Sequence, residues 1–171
     1  MHTNYKALLF DFDGVIAETM PFHLAAWREM LLQYGAHLDD NMVLEQEGRQ
    51  ALDIAARILR HAGVEMNHHE IKEIVDQKNK LFRSTQRSAV YTEIPRILAS
   101  AEQQGFKIAL VTGTLDENVR SVVHPAIYDQ FATVIDGHAV RKGKPAPDPY
   151  LKAAENLGLH ASECVVVENA P

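Results

Sequence analysis

Two aspartates two residues apart, Asp11 and Asp13, directly follow the apolar run Tyr5 to Phe10 and precede Gly14. A short apolar run bounded in this way reads as a buried strand. Both carboxylates then sit at the strand's carboxyl end, and Gly14 permits the tight turn after them. One carboxylate in such a place can attack phosphorus while the other protonates the leaving oxygen; the plainer alternative is a solvated Asp-Gly turn. The pattern of strand followed by polar cluster recurs. Lys107 to Val111 runs into Thr112-Gly113-Thr114, Phe131 to Ile135 into Asp136-Gly137, and Cys164 to Val167 into Glu168-Asn169. The Thr112 hydroxyl and the N–H groups of Gly113 and Thr114 offer a phosphate site at a helix N-terminus, or an ordinary N-cap. Lys144, in Lys142-Gly143-Lys144-Pro145-Ala146-Pro147-Asp148, can neutralise a transferring phosphoryl group. A lysine solvated on a loop is the alternative, less attractive because the prolines fix the loop. Glu168 and Asn169 supply oxygens that, with Asp11 and the Asp13 backbone carbonyl, suit an octahedral magnesium shell.

In open parallel α/β sheets the ligand crevice lies beyond the carboxyl ends of the strands, so clusters far apart in sequence are placed around one site. Between the first and second strands stand roughly seventy residues, against the ~10 to 12 that one crossover helix requires. Helical spacing appears over Pro21 to Tyr34, stopping at Gly35, and over Gln50 to His61, stopping at Gly63. Asn67 with Glu70 has the form of a capping box opening a third helix through Ile71, Ile74 and Val75. Ile94 to Gln104 and Asp148 to Leu157 complete the expected helices. The fold class expected is α/β, a Rossmann-like parallel sheet core with an inserted all-helical cap. The expected spans are 1–16 with 91–171 for the core and 17–90 for the cap.

With 46% hydrophobic residues the 171-residue chain can bury a real core, which argues against disorder. Seventeen Lys and Arg against 23 Asp and Glu, a net charge of -6, argue against a partner held by nucleic-acid phosphates. No basic flank followed by an apolar stretch opens the chain, and no apolar run reaches membrane-spanning length. The expectation is a soluble, cytoplasmic protein. The single cysteine, Cys164, lies in an apolar run and is expected to act as a small buried hydrophobe. His68 and His69, adjacent at a helix start, are expected at the surface.

Taken in order, Asp11-x-Asp13-Gly14, a hydrophobic strand ending in Thr112, Lys144-Pro145-x-Pro147-Asp148 and the terminal pair Glu168-Asn169 resemble the motifs of the haloacid dehalogenase superfamily. The resemblance spans Leu8 to Pro171. It implies a covalent Asp11 phosphoenzyme, Asp13 as acid/base, Thr112 and Lys144 on the phosphate, and magnesium near Asp11, Asp13, Glu168 and Asn169. Phosphate-transferring members carry the second aspartate, which counts against dehalogenation. The position of the cap is similar to that of the β-phosphoglucomutase and phosphoglycolate-phosphatase branch, and His23-Leu24-Ala25-Ala26-Trp27 is similar to a β-phosphoglucomutase segment. By that similarity His23 hydrogen-bonds Asp13 on cap closure; the alternative is a histidine packed at the start of a cap helix. Trp27 is expected in the cap core. The resemblance also places Lys78, beside Asn79, and Arg49 toward the substrate phosphate, the alternative for Lys78 being a solvated helix position.

Three features depart from the pattern. Asn169 stands where relatives carry a second acid, Glu47 stands near where another cation is expected, and the sequence stops at Pro171 where relatives continue through a further helix, strand and helix. The function expected is a magnesium-dependent phosphatase of a small phosphorylated metabolite, with a sugar phosphate foremost. Alternatives are a β-phosphoglucomutase-like mutase and a catalytically impaired truncated fragment. Neither nucleic acid nor membrane is an expected partner, and an exposed last strand offers an edge for self-association.

Overall fold

A computed structural model describes residues 4–87 and 90–170. The expected spans also take in residues 1–3, Ser88, Ala89 and Pro171, which lie outside the described residues. Four strands, β1 (Ala7–Phe10), β2 (Lys107–Val111), β3 (Thr133–Ile135) and β4 (Cys164–Val167), form one wholly parallel sheet in the order β3-β2-β1-β4. Parallel strands covered on both faces read as continuous apolar runs, and the alternation of the pleat divides them. Phe10, Ile108 and Leu110 face α5 (Ile94–Gln103), packing with Ile94, Leu98 and Ala101. Ala7, Leu9, Ala109 and Val111 face α8 (Asp148–Leu157), packing with Ala153 and Leu157. Helix α8 ends at Gly158, whose φ of 68° is the left-handed conformation that closes a helix with little strain in glycine.

Between β1 and α5 the chain builds α1 (Met20–Leu32), α2 (Asp40–Leu44), α3 (Ala51–His61) and α4 (His68–Thr85). These enclose their own apolar cluster, in which Trp27, Met30, Leu31, Val43, Ile58, Leu59, Ile74 and Val75 are buried. The Asn67 side chain accepts from Glu70 N–H at 3.1 Å while Glu70 accepts from Asn67 N–H at 2.7 Å. That capping box starts α4, and its loss in Asn67→Ala costs about 1 kcal/mol. The chain leaves and re-enters the sheet side by side, with Tyr91 N–H donating to Ile16 carbonyl at 3.0 Å.

Several expectations shift. The first and third strands begin later than their apolar runs, at Ala7 and Thr133. Helix α4 runs on to Thr85, and the short helices α2, α6 (Asp116–Val122) and α7 (Pro125–Tyr128) were not anticipated, since none spans enough turns to show a period. Cys164 is only partly buried, because β4 is an edge strand of the sheet, where Val166 is 43% exposed. His68 and His69 are exposed, as expected. No helix among the described residues is long and apolar enough to cross a membrane.

Candidate active site

The carboxyl ends of β1, β2 and β4 point at the underside of the helical layer, and the polar clusters meet there. Asp11 N–H donates to the Val167 carbonyl at 2.9 Å, which continues the β1–β4 ladder into the site and aligns Asp11 with Glu168. Lys144 reaches in from the loop before α8. Its Nζ lies 2.5 Å from Asp11 Oδ1 and 2.8 Å from Glu168 Oε1, and Tyr150 donates its hydroxyl to the same Glu168 oxygen at 3.0 Å. Burial pushes the Asp11 carboxyl up, opposed by the Lys144 ammonium. Burial also works against the charge on Lys144, but Asp11 and Glu168 outweigh it and hold the amine above its ordinary value. Glu168, which burial would raise, is held below the usual carboxylate range by Lys144 and Tyr150. Asp11 thus titrates at about 7, and its ion pair with Lys144 is complete only above that pH.

Asp13, 5% exposed, is surrounded by donors. Thr19 donates to Oδ1, Thr114 donates to Oδ2 at 2.7 Å, and His23 Nε2 stands 3.3 Å from Oδ1. Burial alone would raise this carboxyl; His23 and the two hydroxyls outweigh it and hold it at about 2. His23 Nε2 faces the Asp13 carboxylate, which only accepts, so Nε2 carries the proton and Nδ1 accepts from Lys78 Nζ, 2.6 Å behind it. Burial, aided by Lys78, keeps His23 below its ordinary value and neutral. The His23 ring also stacks on Phe82, centroids 4.1 Å apart, so it packs at the helix start and reaches Asp13 at once. Lys78 is only 3% exposed, and burial lowers its amine to about 7. A solvated helix position is thereby corrected: α4 packs on α1 and turns Lys78 inward, its Nζ 5.3 Å from the Trp27 ring. Trp27 is buried in the helical cluster, as expected.

Thr112 is buried, but its hydroxyl oxygen accepts from Thr114 N–H at 3.0 Å. The N–H of Thr114 is therefore engaged within the turn, helix α6 starts two residues later at Asp116, and the Thr114 hydroxyl is aimed at Asp13. Gly113 is where the helical layer touches down. A Cβ there would lie 2.3 Å from the Arg49 carbonyl oxygen. Arg49 lines the cleft between layer and sheet. Gln50, next to it, donates to the Gly137 and Val140 carbonyls at 2.7 and 3.1 Å. The cavity left between the layers is ≈ 40 Å³, lined among others by Asp13, His23, Arg49, Lys78 and Thr114. That is room for a few water molecules, and a second cavity of ≈ 520 Å³ opens beside it, lined by Glu47, Arg49, Lys144, Tyr150 and Glu168.

No three His, Cys, Asp or Glu side chains among the described residues gather closely enough to hold a metal by themselves. The oxygens still fit magnesium, which takes one or two carboxylates and keeps several waters. Asp11 Oδ2 is buried without a hydrogen-bond partner, and Glu168 lies across Lys144 from it. Asn169 donates through Nδ2 to Glu47 Oε1 at 3.0 Å, which leaves its amide oxygen as the remaining polar end. Burial raises the Glu47 carboxyl, with the charges of Asp13 and Glu168 adding to the effect, so the pocket is rich in negative charge. Thr19, Tyr150, Gln50 and the Glu47–Asn169 contact had no signal in motif spacing; each depends on how the layers pack.

A family model described as haloacid dehalogenase-like hydrolase matches residues 5–171. The chain is 29% identical over 172 residues to fructose-1-phosphate phosphatase YqaB of Escherichia coli, covering 99% of this chain and 89% of that one. It is also 29% identical over 172 residues to β-phosphoglucomutase of Bacillus subtilis, covering 96% and 75%. Among solved structures, CbbY from Rhodobacter sphaeroides in complex with xylulose-(1,5)bisphosphate superposes with a TM-score of 0.80 at 27% identity, covering 95% and 76%. β-Phosphoglucomutase from Clostridium difficile superposes at 0.86 with 23% identity, covering 97% and 77%, a likeness of fold.

Proposed function

The chain belongs to the haloacid dehalogenase-like hydrolases and is an enzyme of the phosphoric monoester class, and we propose that it hydrolyses a small sugar phosphate with magnesium through a phosphoryl group carried on Asp11. The observation that carries this reading is the pairing of two differently held carboxylates on one strand end. Asp11 is buried against Lys144, and Asp13 is held by Thr19, Thr114 and His23. What assigns Asp11 as nucleophile is its contact with Lys144, which can offset phosphoryl charge, together with the order of the family's motifs, whereas Asp13, ringed by hydroxyl and imidazole donors, stands where a leaving oxygen is reached.

In the first step an Asp11 oxygen forms a bond to phosphorus as the bond to the sugar oxygen breaks, and Asp13 gives that oxygen its proton. Asp13 must be protonated beforehand. The dianionic phosphate entering beside it raises its proton affinity, since a nearby like charge disfavours the carboxylate. In the second step water attacks the phosphorus on Asp11, Asp13 takes the water's proton, and inorganic phosphate leaves. Lys144 offsets charge on the phosphoryl oxygens and on Asp11 throughout, and Arg49 meets the substrate from the helical side. Asp11, Glu168, Asn169 and the Asp13 carbonyl would hold magnesium, which would supply further positive charge at the transferring group. The ≈ 40 Å³ cavity beside Asp13 is too small for a sugar, so the sugar enters it when the helical layer lifts and closure then excludes bulk water, while the ≈ 520 Å³ cavity at Lys144 and Glu168 is open to the phosphate end.

A second reading, a phosphomutase, is favoured by the chain from Lys78 through His23 to Asp13, which ties the acid/base to the closed cap. Each tenfold change in partition between sugar and water is only about 1.4 kcal/mol of barrier. Glu47, an acid where a mutase is expected to place a cation, favours the phosphatase. Following fructose 1-phosphate and β-glucose 1-phosphate by phosphorus NMR with magnesium tests the choice. Inorganic phosphate is the expected product; glucose 6-phosphate outpacing phosphate release contradicts the phosphatase reading.

A further inference from the structure

The core's last motif presents an amide, Asn169, beside Glu168, and a cation site served by that pair lacks one negative charge that a second acid would provide. The helical layer brings one. Glu47, 122 residues away in sequence, accepts a hydrogen bond from Asn169 Nδ2 at 3.0 Å. A carboxylate only accepts, so the amide nitrogen must face it and the amide oxygen must face away. The pair lies over the turn after Asp13: a Cβ on Gly14 would fall 2.4 Å from Asn169 Nδ2 and 3.2 Å from Glu47 Oε1. Nearby, Asp11 Oδ2 is buried with no hydrogen-bond partner, in a residue that is 1% exposed.

We infer that Glu47 is a positioning residue for the divalent cation, supplied by the helical layer: it turns the Asn169 amide oxygen toward the ion and adds the carboxylate charge that the core's own motif lacks. The inference rests on the magnesium reading above. Two consequences follow. Cation binding is strongest when the layer is closed, because only then does Glu47 touch Asn169, and by reciprocity the cation favours closure. Glu47 is useful only while residue 169 is an amide, because a carboxylate at 169 needs no orienting donor and is repelled by Glu47.

The test is Mn²⁺ binding by the full chain without substrate, read as the loss of the free-ion EPR signal. It compares wild type, Glu47→Gln, Asn169→Asp and the double variant. Glu47→Gln is expected to weaken the wild-type affinity roughly tenfold, the scale of one screened charge near the ion, with an unchanged melting curve. In the Asn169→Asp background the same change is expected to leave affinity unchanged or improve it, a reversal of sign that loss of cap docking alone does not produce. Glu47→Asp, which keeps the charge, is expected to recover part of the loss. Equal weakening by Glu47→Gln in both backgrounds, or none in wild type, overturns the inference while leaving the magnesium reading in place. Absence of Mn²⁺ binding by wild type and by Asn169→Asp overturns both.

Discussion

Lys144 Nζ stands 2.5 Å from Asp11 Oδ1, a contact made across 133 residues of sequence, with Asp11 1% exposed and Lys144 7% exposed. An ion pair this well buried is costly to break from one side, because the surviving charge is left without a partner. Lys144→Met is therefore expected to destabilise the fold by about 3 kcal/mol at about pH 9, where Asp11, which titrates at about 7, is ionised, and by less at about pH 6, where it holds its proton. Adding Asn at position 11, through Asp11→Asn in that background, is expected to return most of the loss. Urea denaturation of the two single variants and the double checks it, and additive losses contradict the pairing.

Thr114 donates to Asp13 Oδ2 at 2.7 Å, and a hydrogen bond to the charged form lowers a carboxyl's pKa. Removing it in Thr114→Val must raise Asp13 from about 2, so Asp13 keeps its proton to higher pH. The acid limb of kcat against pH, where Asp13 must accept the water's proton, is expected to move to higher pH. Thr114→Ser restores the hydroxyl and is expected to restore the profile. A profile unmoved by Thr114→Val shows that Asp13 does not control that limb.

Lys78 is buried beside His23, and burial lowers its amine to about 7, whereas in the unfolded chain it titrates near lysine's usual value of about 10.4. Between those values the unfolded chain binds more protons than the folded one, so this group's contribution to stability rises with pH. The penalty is complete below about 7 and gone above the unfolded pKa. Lys78→Met is expected to gain stability relative to wild type near pH 6 and to lose that advantage by pH ~10. Chemical denaturation at several pH values measures it, and a pH-independent difference contradicts the assignment.

Gly113 sits under the Arg49 and Gly48 carbonyls, where a Cβ would lie 2.3 and 2.5 Å from their oxygens. Gly113→Ala leaves both layers' apolar clusters intact but obstructs their contact. Closure sets the reacting geometry, so kcat is expected to fall roughly 10²-fold, with a larger radius of gyration by small-angle scattering. Unchanged scattering with unchanged kcat would show that the layers need not approach this closely.

Much of this arrangement was legible from sequence because parallel strands announce themselves as apolar runs and deliver whatever follows them to one edge. That principle alone brings Asp11, Asp13, Thr112, Thr114, Glu168 and Asn169 together, and the proline-flanked loop brings Lys144. It does not tell which groups touch. Thr112 accepts from Thr114 N–H, while Thr19 and Tyr150, which belong to none of the quoted motifs themselves, reach Asp13 and Glu168. The inward turn of Lys78 needs the packing of α4 on α1, since its own helix is charged around much of its surface. The Glu47–Asn169 pair was visible only as two separate irregularities, each of which becomes intelligible once the layers are set face to face. Helices α2, α6 and α7 are too short for an apolar period to emerge.

The claim on which the rest depends is that Asp11 carries the phosphoryl group. Acid-quenched mass spectrometry of the protein during magnesium-dependent turnover of an aryl phosphate tests it most directly. One added phosphoryl group on the peptide containing Asp11 is expected in wild type, with both adduct and turnover lost in Asp11→Asn. Undiminished turnover by Asp11→Asn, with no adduct on that peptide in wild type, contradicts it.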